Sequence, residues 1–232
     1  MSGVAVVTGG ARNLGRAIVL ALARAGYDVV VNARTDAEGA EKVAAEAREI
    51  GVEAVCALAD VAVADEVGRM FAAADDLGAV RVLVNNAAIR TRVPAYDVTS
   101  ADWESVRKVT LDGAMHSVFE ALPRLRSAGG GAVVSIIGGN ALRGDPHRFH
   151  VSAAKHGLIG MTKGLAAACA PDGITVNAVS PSNMEPDPGL PAAEQETQRR
   201  RDAVAAAVAF LASPSGVDVT VTGQLIEVGS ER

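Results

Sequence analysis

Val4-Ala5-Val6-Val7-Thr8-Gly9-Gly10-Ala11-Arg12-Asn13-Leu14-Gly15 passes from an apolar strand pattern through a glycine-rich turn into the start of a helix. Glycine permits the tight reversal, and the first backbone N–H groups of a helix have no partner within it. Such a turn can therefore cradle an anion, a pyrophosphate in particular. A plain tight strand-to-helix turn would use the same residues. The rest of the chain decides between the two.

Outward from this unit, short apolar runs alternate with longer helical patterns. Strands are predicted at Val4–Thr8, Asp28–Asn32, Glu53–Leu58, Val82–Asn85, Ala132–Ile137, Ile174–Ser180 and Gln224–Val228. Helical patterns fall near 14–25, 37–50, 63–76, 101–127, 151–170 and 200–212. Strands apolar on both faces and joined by helices predict a parallel sheet covered on two sides. Right-handed crossovers then give a doubly wound α/β fold. No internal repeat and no long linker divides the chain, so residues 1–232 read as a single domain. Segment 181–200, rich in Pro, Glu and Arg and without clear periodicity, reads as a loop or mobile flap.

The bulk composition narrows the function classes. A chain of 232 residues with 49% hydrophobic and 21% charged residues suffices for one well-buried globular core. A net charge of −5 argues against general affinity for nucleic acid or acidic membranes, though it does not locate charges. Cys56 and Cys169 form no spaced cluster, so neither a disulfide framework nor a metal site is expected. No apolar run approaches the roughly 20 residues that span a bilayer. The N-terminus enters a strand directly, without a signal-peptide pattern, which makes the cytoplasm the expected location.

In order along the chain, further landmarks resemble the short-chain dehydrogenase/reductase family, in particular its 3-oxoacyl-acyl-carrier-protein reductase-like members. Thr8–Gly15 is similar to the family's Thr-Gly-x-x-x-Gly-x-Gly turn, with Asn13 at the middle glycine. Asn tolerates left-handed backbone better than other non-glycine residues, so the turn can survive. Asp60-Val61 follows the third strand, as does the family's adenine-contacting Asp. Asn85-Asn86-Ala87-Ala88 resembles Asn-Asn-Ala-Gly, Pro181-Ser182 stands where the family has Pro-Gly, and Thr222-Gly223-Gln224 matches Thr-Gly-Gln. The resemblance implies a Rossmann-like domain of about seven strands. It also implies nicotinamide-cofactor contacts from Gly9, Arg12, Asn13, Leu14, Gly15, Arg34, Asp60, Val61, Asn86, Ala87, Lys155 and Pro181.

Charge indicates which cofactor. A domain that prefers NAD offers a carboxylate to the ribose 2′-hydroxyl at the end of the second strand. Here the sequence is Asn32-Ala33-Arg34, without an acid. In this family Arg34 and Arg12 both reach that corner, and two guanidinium groups suit a 2′-phosphate. NADP(H) is the expected cofactor, unless both arginines are merely solvated.

The catalytic half departs from the family. Its members use Tyr as proton donor, Lys to hold the nicotinamide ribose and lower the Tyr pKa, Ser to orient the carbonyl, and Asn to support a water leading to Lys. In the register set by the flanking motifs, the Tyr position is Val151, the Ser position Gly138 and the Asn position Thr110. Only Lys155 remains, and Pro186 stands near a threonine that commonly contacts the nicotinamide amide. Ser135 lies three residues early, inside a strand, and reads as packing. His147, Val151 and Lys155 are spaced i, i+4, i+8, so a helix extending back that far would put His147 beside the vacancy. Pro146 and Gly144 suggest a loop there instead, and the blander reading makes His147 and His150 surface residues.

The first functional expectation is an atypical NADPH-dependent oxidoreductase acting on a small molecule. It would deliver hydride to an activated carbonyl, quinone or enone, with Lys155 and His147 as candidate catalytic groups. Second is an inactive scaffold or regulatory subunit, partnered with an active homologue. Third is a redox-neutral cyclase, isomerase or lyase reusing the pocket. The helices at 101–127 and 151–170 resemble those through which family members form dimers and tetramers, so a homo-oligomer is expected.

Overall fold

The computed structural model describes residues 3–182, 193–213 and 221–229. Seven parallel strands form one sheet in the order β3-β2-β1-β4-β5-β6-β7. They are β1 (Val4–Val7), β2 (Asp28–Ala33), β3 (Ala54–Leu58), β4 (Val80–Asn85), β5 (Gly131–Ile136), β6 (Ile174–Pro181) and β7 (Leu225–Val228). Each predicted strand is present within two residues of its expected ends. The order reverses between β1 and β4, and that switch point opens the crevice in which doubly wound sheets bind ligands.

Alternating side chains of the strands feed two apolar layers. Ala5, Val7, Val29 and Val31 pack beneath α1 (Asn13–Arg24), α2 (Ala37–Ile50) and α8 (Ala193–Ala212). Val4, Val6, Val30 and Leu83 pack on the other face, where α3 (Ala64–Leu77), α5 (Gly113–Ser127) and α7 (Phe149–Cys169) contribute Phe71, Leu125 and Ala166. With both faces covered, the strands are largely apolar, as expected of a parallel sheet.

Three features differ from the sequence expectation. The helical pattern 101–127 is two helices, α4 (Ser100–Arg107) and α5, joined by a π-helical turn at Lys108–Asp112. A π turn inserts a residue without breaking the apolar stripe, so periodicity does not reveal it. A short helix, α6 (Gly139–Arg143), appears where no periodicity can develop over five residues. Of segment 181–200, Pro181 closes β6 and 193–200 form the first turns of α8, while 183–192 lie outside the described residues. The start of α8 was missed because Glu194, Glu196, Gln198, Arg199, Arg200 and Arg201 make it polar all round. It is laced by pairs such as Arg200–Glu196 at 3.1 Å and Arg201–Glu194 at 3.2 Å.

The last strand is fixed by the Thr222-Gly223-Gln224 turn. Thr222 Oγ1 accepts from Val176 N–H at 3.0 Å, and Asn177 Oδ1 accepts from Gln224 N–H at 3.1 Å. Gly223 stands at φ +72°, which a side chain would strain.

Candidate active site

The glycine turn after β1 is built from buried polar side chains. Thr8 Oγ1 donates to Val84 O at 3.2 Å and accepts from Asn86 N–H at 3.0 Å and Ala87 N–H at 3.1 Å. Asn86 Nδ2 returns the link, donating to Thr8 O and Gly9 O, each at 2.9 Å. The ends of β1 and β4 are thus clasped on either side of the switch point. Asn32, buried at the end of β2, accepts from Gly9 N–H at 3.1 Å and donates to Ala57 O and Ala59 O at 3.1 Å. One side chain therefore ties together the turns after β1, β2 and β3. The signal for this role was a polar residue ending an otherwise apolar strand run, Val29-Val30-Val31-Asn32-Ala33.

Asn13 opens α1 at φ +50°, the one non-glycine residue with positive φ among the described residues. It holds the left-handed conformation expected from its place in the turn. Gly15 is required by contact, because a Cβ there would sit 2.0 Å from Gly9 O and 2.9 Å from Asn86 Nδ2. Arg12 provides no side-chain cap to α1, and no acid occupies the first turn. The helix N-terminus thus presents positive partial charge that no side chain of its own first turn offsets.

A cleft of about 680 Å³ runs along the carboxyl ends of the strands. Of the residues expected at the cofactor, all twelve line it: Gly9, Arg12, Asn13, Leu14, Gly15, Arg34, Asp60, Val61, Asn86, Ala87, Lys155 and Pro181. Arg12 and Arg34 are exposed, and Arg34 stands 4.0 Å from Asp60. Asp60 is itself oriented by Ala62 N–H at 3.0 Å. Wall residues that the sequence reading did not assign include Arg90, Arg148 and Arg201.

At the other end of the cleft stand Lys155 and Val151, one helical turn apart on α7. Lys155 is 3% exposed, and its ammonium donates to Ile136 O at 2.6 Å. Desolvation, with a smaller contribution from the nearby charge of Arg90, pulls its pKa down to about 7. Val151 is 6% exposed and packs with Val106 and Ala154, flanked by Ile89 and Leu111. Gly138 also lines the cleft, at φ +139° with open space where a Cβ would be. A serine would fit there sterically but not in that backbone conformation. Thr110, in the π turn, accepts from Ile89 N–H at 3.2 Å through its hydroxyl and so fixes the loop after β4.

Two histidine expectations meet the structure differently, and the one for Ser135 agrees with it. His147 lies before the first turn of α7, its imidazole 45% exposed and 3.8 Å from Asp145, and it is absent from the cleft wall. The stripe His147-Val151-Lys155 therefore does not form, because Gly144, Asp145 and Pro146 keep the chain in a turn. His150 is not a surface residue but 1% exposed, with Nε2 3.1 Å from Thr91 Oγ1. Ser135 is buried within β5 and does not reach the cleft, in keeping with a packing role.

Three kinds of comparison place this architecture among known proteins. The family profile described as short chain dehydrogenase matches residues 3–197. The 3-oxoacyl-[acyl-carrier-protein] reductase FabG of Staphylococcus aureus is 36% identical over 188 residues, 81% of this chain and 76% of that protein. A 3-oxoacyl-[acyl-carrier-protein] reductase of a Synechocystis species is 33% identical over 234 residues, covering 97% of this chain and 94% of the relative. Acetoin dehydrogenase from Salmonella typhimurium superposes with a TM-score of 0.84 at 29% identity, over 98% of this chain and 94% of that one. By its fold, its clasped glycine turn and these matches, the chain belongs to the short-chain dehydrogenase family.

Proposed function

We propose that this protein is an NADPH-dependent oxidoreductase that reduces an activated carbonyl, quinone or enone without a tyrosine acid. The carrying observation is a single cleft that joins the glycine turn, Arg12 and Arg34 at one end to Lys155 and Val151 at the other. The uncapped N-terminus of α1 suits a pyrophosphate, and the two guanidinium groups of Arg12 and Arg34, with no acid at the end of β2, suit a 2′-phosphate. Asp60 and Val61 would meet the adenine end, and Asn86, Ala87 and Pro181 would flank the nicotinamide end. NADPH, when bound, supplies the hydride that reduces the acceptor. The relatives named as reductases support the reductive direction.

What the chain itself offers at the reacting end is limited. In the family register Val151, Gly138 and Thr110 replace the proton donor, the carbonyl-orienting serine and the asparagine. Val151 sits in an apolar cluster and cannot move a proton. Lys155 is the one ionisable group that lines the cleft wall beside it on α7. With a pKa near 7 it is divided between ammonium and amine at neutral pH, and so can stabilise or protonate an oxygen without a tyrosine relay. A positioned general acid contributes roughly 10²–10⁴-fold, and an oxyanion donor roughly 10²–10³-fold. Ordinary ketones, whose reduced oxygen needs prompt protonation, are disfavoured. Acceptors that delocalise the developing charge keep the advantage of positioning.

A second reading has one specific observation behind it. The apolar packing of Val151 against Val106 and Ala154, beside Ile89 and Leu111, resembles a filled position more than a polar reaction site, which favours a non-reducing scaffold or regulatory subunit. Trp103, Met115 and Phe119 are large apolar residues exposed on α4 and α5, supporting association of copies through these helices under either reading. The two readings separate in one assay. Purified protein is incubated with NADPH and a panel of quinones, enones and ketones, and loss of reduced-nicotinamide absorbance is followed. Consumption with quinones or enones supports the enzyme; NADPH binding with no consumption across the panel supports the subunit.

A further inference from the structure

The chain carries a net charge of −5, yet its cleft is strongly basic. Arg12, Arg34, Arg90, Arg148, Lys155 and Arg201 line it, with Asp60 the one carboxylate among the described lining residues. Arg12, Arg34 and Asp60 follow β1, β2 and β3 and belong to the cofactor half. The other four come from the loop after β4, from the start of α7 and from α8. Lys155 serves the nicotinamide end, Arg148 approaches Asp145 and Arg201 pairs with Glu194, whereas a 2′-phosphate and a pyrophosphate in the cofactor half leave Arg90 unaccounted for.

Arg90 is the centre of this excess. The loop that carries it is fastened on both sides. Ile89 N–H is held by Thr110 Oγ1 at 3.2 Å, Thr91 Oγ1 by the buried His150 at 3.1 Å, and Val93 N–H by His147 O at 2.8 Å. A solvated surface arginine needs no such anchoring of its backbone. The Arg90 side chain lines the cleft, is exposed, and pairs with no carboxylate among the described residues. Arg148, also on the wall, shares Asp145 with Arg92 at 3.9 and 3.7 Å, so one carboxylate faces two guanidinium groups. Arg148 stands at the N-terminus of α7, which has no side-chain cap and no acid in its first turn. Its dipole adds to the positive potential. The wall alongside is apolar, made of Val151, Ile89 and Val109.

We infer that the acceptor is an anion: an apolar body lies along Val151 while a carboxylate or phosphate end is held by Arg90, with Arg148 and the α7 N-terminus contributing field. The inference rests on the proposed reductive use of this cleft for the word acceptor, but the anion site itself does not depend on turnover. It also assigns positioning roles to two residues that touch no ligand. Thr110 and His150 hold the loop from which Arg90 projects.

The test is a binding measurement on the NADPH-saturated protein. Three aromatic aldehydes of one shape are titrated by calorimetry: 4-formylbenzoate, 4-formylphenyl phosphate and neutral methyl 4-formylbenzoate. A charge-assisted contact predicts that at least one anion binds about 10- to 100-fold tighter than the ester. Arg90→Gln should bring that ratio close to one while leaving the affinities for the ester and NADPH unchanged, and Arg90→Lys should recover part of it. The tighter anion identifies carboxylate or phosphate as the recognised group. Equal binding of ester and anions, no binding of any probe, or an Arg90→Gln variant that weakens NADPH and ester alike would each overturn the inference. Anion selectivity without NADPH consumption would refute the reductase and leave the anion site standing. NADPH consumption that is indifferent to acceptor charge would do the reverse.

Discussion

Replacing Lys155 by methionine should change how the stability of the nucleotide-free protein depends on pH. The lysine is 3% exposed, and its pKa falls from 10.5 to about 7 on burial. At ~1.4 kcal/mol per unit, folding disfavours the cation by about 5 kcal/mol. The sign follows from proton counts: between the folded and unfolded pKa values the unfolded chain binds more protons, so stability rises with pH. Below about pH 7 both states are charged and the full penalty applies; it is relieved progressively between about pH 7 and 10. Linkage over this window gives the wild type about 2 kcal/mol of added stability from about pH 7 to pH 9. Methionine fills the same volume without a titrating group, so the variant should lack this gain. Urea unfolding of both proteins across that range measures it, and the difference between them removes other titrating groups. Parallel stability curves for wild type and variant would refute the buried, near-neutral lysine.

Further consequences concern the cofactor half. Because Asn13 holds φ +50°, Asn13→Gly should leave stability within a few tenths of a kcal/mol, whereas Asn13→Val should cost about 1–3 kcal/mol, read from thermal unfolding. Thr8→Val removes a hydroxyl that serves Val84 O, Asn86 N–H and Ala87 N–H, and leaves buried polar groups unpaired. It should cost about 2–3 kcal/mol in chemical denaturation and weaken nucleotide binding as the β1–β4 clasp loosens. Arg34→Gln should lower the preference for NADPH over NADH by about 10-fold or more, read from the two dissociation constants. Unchanged selectivity would assign the 2′-phosphate to Arg12 alone or exclude it from this corner.

The parts of the fold that were legible in the sequence are those where one physical requirement dominates. Strands buried on both faces must be apolar, so runs such as Val4–Val7 and Val29–Val31 announced themselves. The glycine turn was legible because Gly15 touches backbone, and Asn13 because few residues accept its conformation. Lys155 was identified through its motif, and its depressed pKa follows from the burial that the motif's helix imposes. What stayed hidden depends on contacts distant in sequence. Asn32 is visible as a polar end to an apolar run, but the three turns that it joins are brought to it only by the fold. The placement of His147 turned on where α7 begins, which the Gly144-Asp145-Pro146 turn decides. Arg90, Arg148 and Arg201 are scattered over 112 positions and become one charged wall only when the loop after β4, α7 and α8 meet.

Reduction without a tyrosine acid leaves a direct trace in isotope transfer. Purified protein is given NADPH deuterated at the reactive nicotinamide carbon, together with an α,β-unsaturated ketone, and the product is examined by mass spectrometry and NMR. Deuterium is expected on carbon in the reduced enone, with the rate lowered by Lys155→Met and a plain ketone of similar size reduced far more slowly. NADPH that binds tightly while no label enters enone, quinone or ketone would contradict it.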